Sequence, residues 1–495
     1  MSRLNNTNLA GLPSHIIKPN YNRAVLKPRI LHLGVGAFHR AHQAFYTESV
    51  LNQQGGDWGV LGASLRSAKV GDQLNPQDGL YTVVEQSQTQ QLQIIGCLLG
   101  VINAGKNPAE LIAAIASEDT KLVSLTVTEK AYCHDPATGQ LQLDNSVIAE
   151  DLTRYPDSAT TAIGFLVCGL KARKEGNRAG ITLLSCDNLP NNGEVLKNVV
   201  LAFAKQVDAP LAQWIETNIC FPCSMVDRIV PATTEADLQD VEQALSVSDH
   251  GAIFTEPFTQ WVIENNFANA APDWASAGAL LVDSVTPFEK IKLRLLNGSH
   301  SIIAYLGYLA GYDYVHETIA DPAFKQLIQR YMDELVTPTL DVPEGFDLSA
   351  YKQQLIERFA NPALNHRTQQ IAMDGSQKIP QRWLSTLADL TAQGANTDIL
   401  ALAIAGWIRF LEGVRDSGER YSVDDPMTDI FAELVINNAK NLADEVLSIG
   451  RIFGKLSSDQ PAFCSNVSSL VEQLRSNGVV KTIQGSESKD SDPVL

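Results

Sequence analysis

The chain has 495 residues, 44% of them apolar and 19% charged, which excludes a disordered chain and, at about 150 residues per domain, allows two to four domains. Its 38 basic and 56 acidic residues leave a formal net charge of −18. That balance opposes nucleic acid and anionic membrane as partners and requires a local basic pocket for any anionic ligand.

Residues 1–28 are polar, dotted with Pro and Asn, and read as an arm without the apolar core of a signal peptide. Residues 29–35 are a short apolar run ending in glycines, the pattern of a buried strand feeding a turn. A helix is predicted over 41–52, and strands over 57–65, 81–85 and 92–99. A helix follows over 108–117, a β-branched strand over 121–127, helices over 146–155 and 160–175, and a strand over 180–185. Strands alternating with helices predict an α/β fold with a Rossmann-like, mostly parallel sheet. Beyond residue 285 the pattern turns helical, with helices predicted over 290–310, 322–336, 350–359, 380–393, 397–414, 427–437, 441–449 and 467–477. The longest apolar stretch, 399–408, is about half a membrane span, so a cytoplasmic protein is expected. The organisation expected is a dinucleotide-binding domain at 1–285, a helical substrate domain at 286–480 and a flexible tail at 481–495. Seven scattered cysteines fit reduced thiols. Cys220-Phe-Pro-Cys223 has half-site spacing, but no second pair completes a metal site, so no metal is expected.

The first strand runs into Gly34-Val35-Gly36-Ala37-Phe38-His39. Gly34 and Gly36 match the first two positions of G-x-G-x-x-G, and His39 stands at the third. Such glycines allow a tight turn and close approach to a pyrophosphate, and the following helix N-terminus favours the anion. Residues 34–38 are therefore the candidate cofactor loop; an ordinary strand-to-helix turn is the alternative. Sites of this kind that prefer NAD usually carry an acid at the end of the second strand. Leu65-Arg66-Ser67-Ala68-Lys69 has none. Arg66 can meet a ribose phosphate or be a solvated loop charge, which keeps NADP open.

The stretch 290–300 holds Lys292, Asn297 and His300 among leucines. At 100° per residue they fall at about 0°, 140° and 80°, within an arc of about 140°. A buried lysine is pushed toward neutrality by desolvation and can act as a base near neutral pH. Asn and His can donate hydrogen bonds to an alkoxide or carbonyl oxygen. The alternative is an amphipathic helix whose lysines are merely solvated.

Seven ordered segments, HLGVGAFHRAHQA (32–44), SLTVTEKAY (124–132), SCDNLPNNG (185–193), MVDRIVP (225–231), KIKLRLLNGSHS (290–301), VHETIADP (315–322) and DGSQKIP (374–380), resemble the polyol-specific long-chain dehydrogenases, the mannitol dehydrogenase family. The resemblance covers about residues 28–475. It implies metal-independent hydride transfer between NAD(P) and a sugar alcohol or sugar acid, with NAD expected. It implies Lys292 as the general base and Asn297 and His300 as the pair holding the reacting oxygen. It places Asn188 and Asp227 at substrate or cofactor, Lys378 at substrate, Glu289 on the proton path of the lysine, and Gly34, Gly36 and Phe38 in the cofactor loop. Residues 361–382 look closer to family members acting on a uronate; members acting on mannitol carry an arginine where Gln370 stands. Reduction of D-fructuronate to D-mannonate is the reaction expected, with mannitol, another polyol or tagaturonate as alternatives. A uronate brings a carboxylate, and Arg367, Lys378 and Arg382 with His366 supply cations for it, although basic residues around a turn are also commonly solvated. A non-enzymatic NAD(H) sensor would need the glycine loop without the Lys–Asn–His set.

Overall fold

A computed structural model describes residues 2–87, 89–135, 138–437 and 440–489. The chain divides into two units, Met1–Thr286 and Pro287–Leu495.

In chain order the strands of the first unit are β1 (Lys27–Leu33), β2 (Trp58–Ser64), β3 (Tyr81–Gln86), β4 (Gln90–Ile95), β5 (Leu98–Asn103), β6 (Leu122–Leu125), β7 (Thr182–Ser185), β8 (Ser224–Asp227), β9 (Ile253–Thr255), β10 (Gln260–Glu264) and β11 (Leu280–Val282). Five form an all-parallel sheet in the order β5-β2-β1-β6-β7. Its central strands are apolar without alternation, as strands covered on both faces must be: β6 and β7 are buried throughout. Leu33 stands opposite Ala63 of β2 and Leu125 of β6. From β1 the chain steps outward through β2 to β5, then returns to β6 on the other side. The order therefore reverses between β1 and β6, and sheets of this kind bind ligands beyond the carboxyl ends of their strands at that point.

The remaining strands make two small sheets, β4-β3-β9 and β11-β10-β8. The run 92–99 is two strands. Between them the backbone N–H groups of Gly96 and Cys97 donate to the buried Glu48 carboxylate, at 2.8 Å each, instead of to a neighbouring strand. The N-terminal arm is packed. Leu4, Leu12 and Ile16 are buried with Val84 and Ile94 of the β3–β4 hairpin, because apolar side chains recur along an otherwise polar stretch.

The second unit is helical. The stretch 290–310 is helical, but it is not one α-helix. An α-helix (Thr286–Ile291) passes into a π-helical turn (Lys292–Asn297) and back into an α-helix (Gly298–Ala310). Tyr331–Val336 and Pro380–Leu384 are also π-helical. The tail expected to be flexible from residue 481 is helical instead, within Val479–Lys489. Val479 and Ile483 lie one turn apart and are fully buried, which ties the segment down; residues 490–495 lie outside the described residues.

Candidate functional site

The turn after β1 is shaped by one backbone crossing. Gly34 has φ +93°, and a Cβ there would lie 2.1 Å from the Thr126 carbonyl oxygen just beyond β6, so only glycine fits. The Thr126 hydroxyl donates to the Gly34 carbonyl at 2.7 Å. Gly36 differs: it is exposed, and a Cβ would meet nothing closer than 4.0 Å. The protein itself does not need glycine there, and the open face suits close approach of a pyrophosphate, so the turn fits a dinucleotide. Val35 is buried under Gly62 of β2, whose Cβ would lie 2.4 Å from it, so Val35 offers a ligand only its backbone. Ala37 opens the helix Ala37–Ala41, and Phe38 stacks on His42 at 5.0 Å. His39, at the third glycine position, is buried and stacked face-on against His32 at 3.4 Å. Close packing of helix on strand, the usual service of the third glycine, is performed here by two flat rings. Arg66 is exposed, two residues beyond β2, beside β1 in the sheet.

Further along the same unit, the ends of β6, β7 and β8 are laced together. The Asp187 carboxylate accepts from the Val127 and Thr128 N–H groups at 3.1 and 2.8 Å and from the Tyr132 hydroxyl at 2.7 Å. Asn192 Nδ2 donates to the carbonyls of Asp187 and Ser224 at 3.0 and 2.7 Å. Asn188 is exposed just past β7, and Asp227 is the buried last residue of β8. Sequence reasoning missed the neighbouring Arg228. It is buried, pairs with Glu85, donates to the Glu256 and Ala41 carbonyls and lies 4.5 Å over the Phe45 ring. Only the charge of Arg228 beside an acid was a signal, and it could not reveal four distant partners.

In the helical unit, Lys290 and Arg294 both reach Asp389, at 3.6 and 2.8 Å, and behave as structural charges. Lys292 is half-buried rather than buried. Its relation to Asn297 is changed by the π-turn, in which hydrogen bonds run i→i+5 and one extra residue is accommodated. Asn297 then stands to Lys292 roughly as i+4 does in an α-helix, about 40° round instead of about 140°. His300, three α-helical residues on, falls about 60° back. The three side chains thus share an arc of about 60°, narrower than regular spacing predicts.

His300 is buried, and its Nε2 has no hydrogen-bond partner. Its ring packs on Phe359 at 4.7 Å and edge-on to His366 at 5.3 Å. Burial, then the nearby His366, Arg382, Arg358 and Lys378, hold the imidazole well below its ordinary value. Lys378 Nζ donates to the Ile371 and Met373 carbonyls at 3.2 and 2.6 Å. Arg367 is exposed, 5.3 Å over the Tyr314 ring. The cation beside His300 that sequence reasoning missed is Arg358, buried at the end of helix Leu348–Phe359. Gln370 is exposed in helix Thr368–Ala372, and Glu289 is half-buried three residues before Lys292.

Four imidazoles are held neutral mainly by burial: His32 is pushed down to about 3 and His366 to about 4, and His39 and His300 lie well below their ordinary value. Unfolding returns each to about 6.5. The unfolded chain therefore binds protons first as pH falls, and stability present above about pH 6.5 is lost on the way down toward pH 3–4. His32 and His366 each cost about 1.4 kcal/mol by pH 5.5. The melting temperature is expected to drop steeply from pH 6.5 to 5 in a thermal-shift series. A flat profile to pH 5 would show that these rings charge within the fold.

Among the described residues no group of three or more His, Cys, Asp or Glu can hold a metal ion, and no helix is long and apolar enough to cross a membrane. Residues 28–276 match the mannitol dehydrogenase Rossmann domain, and residues 284–475 match the mannitol dehydrogenase C-terminal domain. The D-mannonate oxidoreductase of Escherichia coli (strain K12) is 44% identical over 94% of this chain and 96% of its own length. An uncharacterized oxidoreductase of the same organism, YeiQ, is 45% identical over 94% of this chain and 95% of its own. The structure of Pseudomonas fluorescens mannitol 2-dehydrogenase in ternary complex with NAD and D-mannitol superposes with a TM-score of 0.88 at 38% identity, covering 98% of this chain and all of that one. Both family domains are matched in order and the relatives align over nearly the whole length, so the chain belongs to the mannitol dehydrogenase family of oxidoreductases.

Proposed function

We propose that the chain is an NAD-dependent, metal-independent reductase that converts D-fructuronate to D-mannonate. The observation that carries this reading is the buried, unpartnered Nε2 of His300, on the helix that bears Lys292 and Asn297 and surrounded by Arg358, His366, Lys378 and Arg382. A neutral imidazole in that position can donate a hydrogen bond to a substrate oxygen, and the cations Arg358 and Lys378 suit an anionic substrate.

Residues 34–38 would hold NADH, which would supply the hydride taken up by the carbonyl carbon. Lys292, as the ammonium, gives its proton to the carbonyl oxygen as that bond becomes single; in reverse, the amine takes the hydroxyl proton. Asn297 donates from Nδ2 and His300 from its ring, so charge growing on the oxygen meets two fixed donors. His300 does not supply the proton itself, because its charged form is strongly disfavoured. Glu289 relays the proton between Lys292 and water. Asn188 and Asp227 are assigned to substrate or cofactor binding, and Lys378 and Arg367 to substrate binding.

The test is a panel of D-fructuronate, tagaturonate, fructose and mannitol, each with both nicotinamide cofactors. The two ketoses D-fructuronate and fructose differ at the end remote from the reacting carbonyl. A hydrogen bond to a charged group discriminates by roughly ten- to two-hundred-fold, so D-fructuronate should exceed fructose in kcat/KM by about that factor. Lys378→Met should cost more on D-fructuronate than on fructose. Faster turnover of fructose would move the assignment to mannitol 2-dehydrogenase, the activity named for the relative that binds D-mannitol. NADH should exceed NADPH. The opposite result would assign Arg66 to a ribose phosphate, and Arg66→Ala should then reverse the preference.

A further inference from the structure

The turn Lys292–Asn297 is secured from outside its own helix. A π-turn displaces carbonyls from regular i→i+4 pairing, and three carbonyls here receive side-chain donors. The Tyr331 hydroxyl donates to the Arg294 carbonyl at 3.0 Å, Arg382 Nη1 to the Asn297 carbonyl at 3.2 Å, and Trp383 Nε1 to the Gly298 carbonyl at 3.3 Å. Tyr331 lies in the π-helical turn Tyr331–Val336, and Arg382 and Trp383 lie in the π-helical turn Pro380–Leu384. Gly298 is required by this packing, since a Cβ there would lie 2.1 Å from the Tyr331 hydroxyl.

Arg382 stands apart from the other two donors. The same Nη1 also donates to the Ser301 hydroxyl at 2.8 Å, so one guanidinium nitrogen bridges the end of the π-turn and the first turn of the α-helix that carries His300. Among the described residues no carboxylate pairs with Arg382, and both of its acceptors are neutral. A cation kept without a counter-ion, its donors spent on a backbone carbonyl and a hydroxyl, is poorly explained as a stability device.

We propose that Arg382 is a positioning residue for the oxygen-binding pair: its guanidinium clamps the wide turn at the Asn297 carbonyl and the Ser301 hydroxyl, and so sets the directions in which Asn297 and His300 present their donors. This rests on the reading that Asn297 and His300 hold the reacting oxygen. It takes Arg382 away from the substrate carboxylate, the role its charge alone suggests. Lysine cannot replace it in full, because the two hydrogens on Nη1 are fixed in the guanidinium plane and aimed at the two acceptors, whereas an ammonium turns freely on a flexible stem.

The experiment is a double-variant cycle of Arg382→Met and Asn297→Ala, assayed on D-fructuronate and on uncharged fructose, with melting temperature and NADH binding measured on each protein. Arg382→Met should lower kcat by about ten- to two-hundred-fold, equally on both ketoses, with little change in KM or NADH affinity. In the Asn297→Ala background the same substitution should cost clearly less than in the wild type, because the share exerted through the Asn297 amide is already gone and only the share exerted through His300 remains. Arg382→Lys should recover part of the rate. A loss confined to D-fructuronate and expressed in KM would overturn the proposal and make Arg382 a carboxylate ligand. A lowered melting temperature with kcat intact would overturn it in favour of a structural role. A slow Asn297→Ala enzyme that loses the full factor again would overturn the clamp while sparing the reading of Asn297. An Asn297→Ala enzyme of wild-type rate would instead remove that reading, and the clamp with it. Should Arg382→Met fail to fold, the cycle is read with Arg382→Lys in its place.

Discussion

Replacing Lys292 with alanine is expected to lower kcat by about 10²–10⁴-fold, the range for loss of a positioned proton-transfer group. NADH affinity should be nearly unchanged, because the glycine turn belongs to the first unit. Lys290→Ala is the internal control. It lies two residues away on the same helix, but its ammonium is 3.6 Å from Asp389, so activity should stay within about twofold, as exposed ion pairs are worth little. Added primary amines should restore part of the Lys292→Ala rate by supplying the missing acid–base group. Steady-state turnover and fluorescence titration with NADH read both quantities. A Lys292→Ala enzyme that retains more than about a tenth of the wild-type rate would end the assignment of Lys292 as the base.

The second large effect is expected at the oxygen-binding pair. Removing one donor aimed at developing charge costs about 10²–10³-fold in comparable sites, and Asn297→Ala and His300→Ala should each fall in that range. The double variant should lose much less than the product of the single losses, because both donors serve one oxygen. His300→Gln should be milder than His300→Ala, since an amide N–H can replace that of a neutral ring. The burial that holds His300 neutral adds a further expectation. The acid limb of the rate profile should not move in the His300→Gln enzyme, because His300 does not titrate in the working range. Strict additivity of the two alanine variants would mean that the residues do different jobs.

The substrate question turns on the same neighbourhood. Arg358 and Arg367 are nine residues apart and equally basic, yet they face different surroundings. Arg358 is buried, and its charge acts on His300 and His366; Arg367 is exposed over Tyr314. No periodicity separates them. Helix Leu348–Phe359 delivers Arg358 with its last turn, whereas Arg367 lies next to the 3.0 Å bond from the Val315 N–H to the His366 carbonyl, which draws that strand of chain toward Tyr314.

What the sequence determined by itself is what local patterns carry. The strand–helix alternation from β1 to β7 is legible because buried parallel strands are continuous apolar runs bounded by turns. The switch to helices beyond residue 285 is legible from the same change of period. The glycines of residues 34–36 and the set Lys292, Asn297 and His300 are visible because each occupies one short segment. The tertiary structure alone decided how those side chains are aimed. The wide turn that narrows the arc of Lys292, Asn297 and His300 coincides with donors from Tyr331, Arg382 and Trp383, thirty to ninety residues further along the chain. The stack of His39 on His32 needs β6, whose Ser124 and the following Thr126 hold His32 at 2.8 Å each. The polar arm is ordered by a hairpin some 80 residues away, and the helix Val479–Lys489 is anchored by the burial of Val479 and Ile483. In each case the deciding contact joins residues far apart in the chain, so it leaves no period in either segment, and only folding brings donor to acceptor.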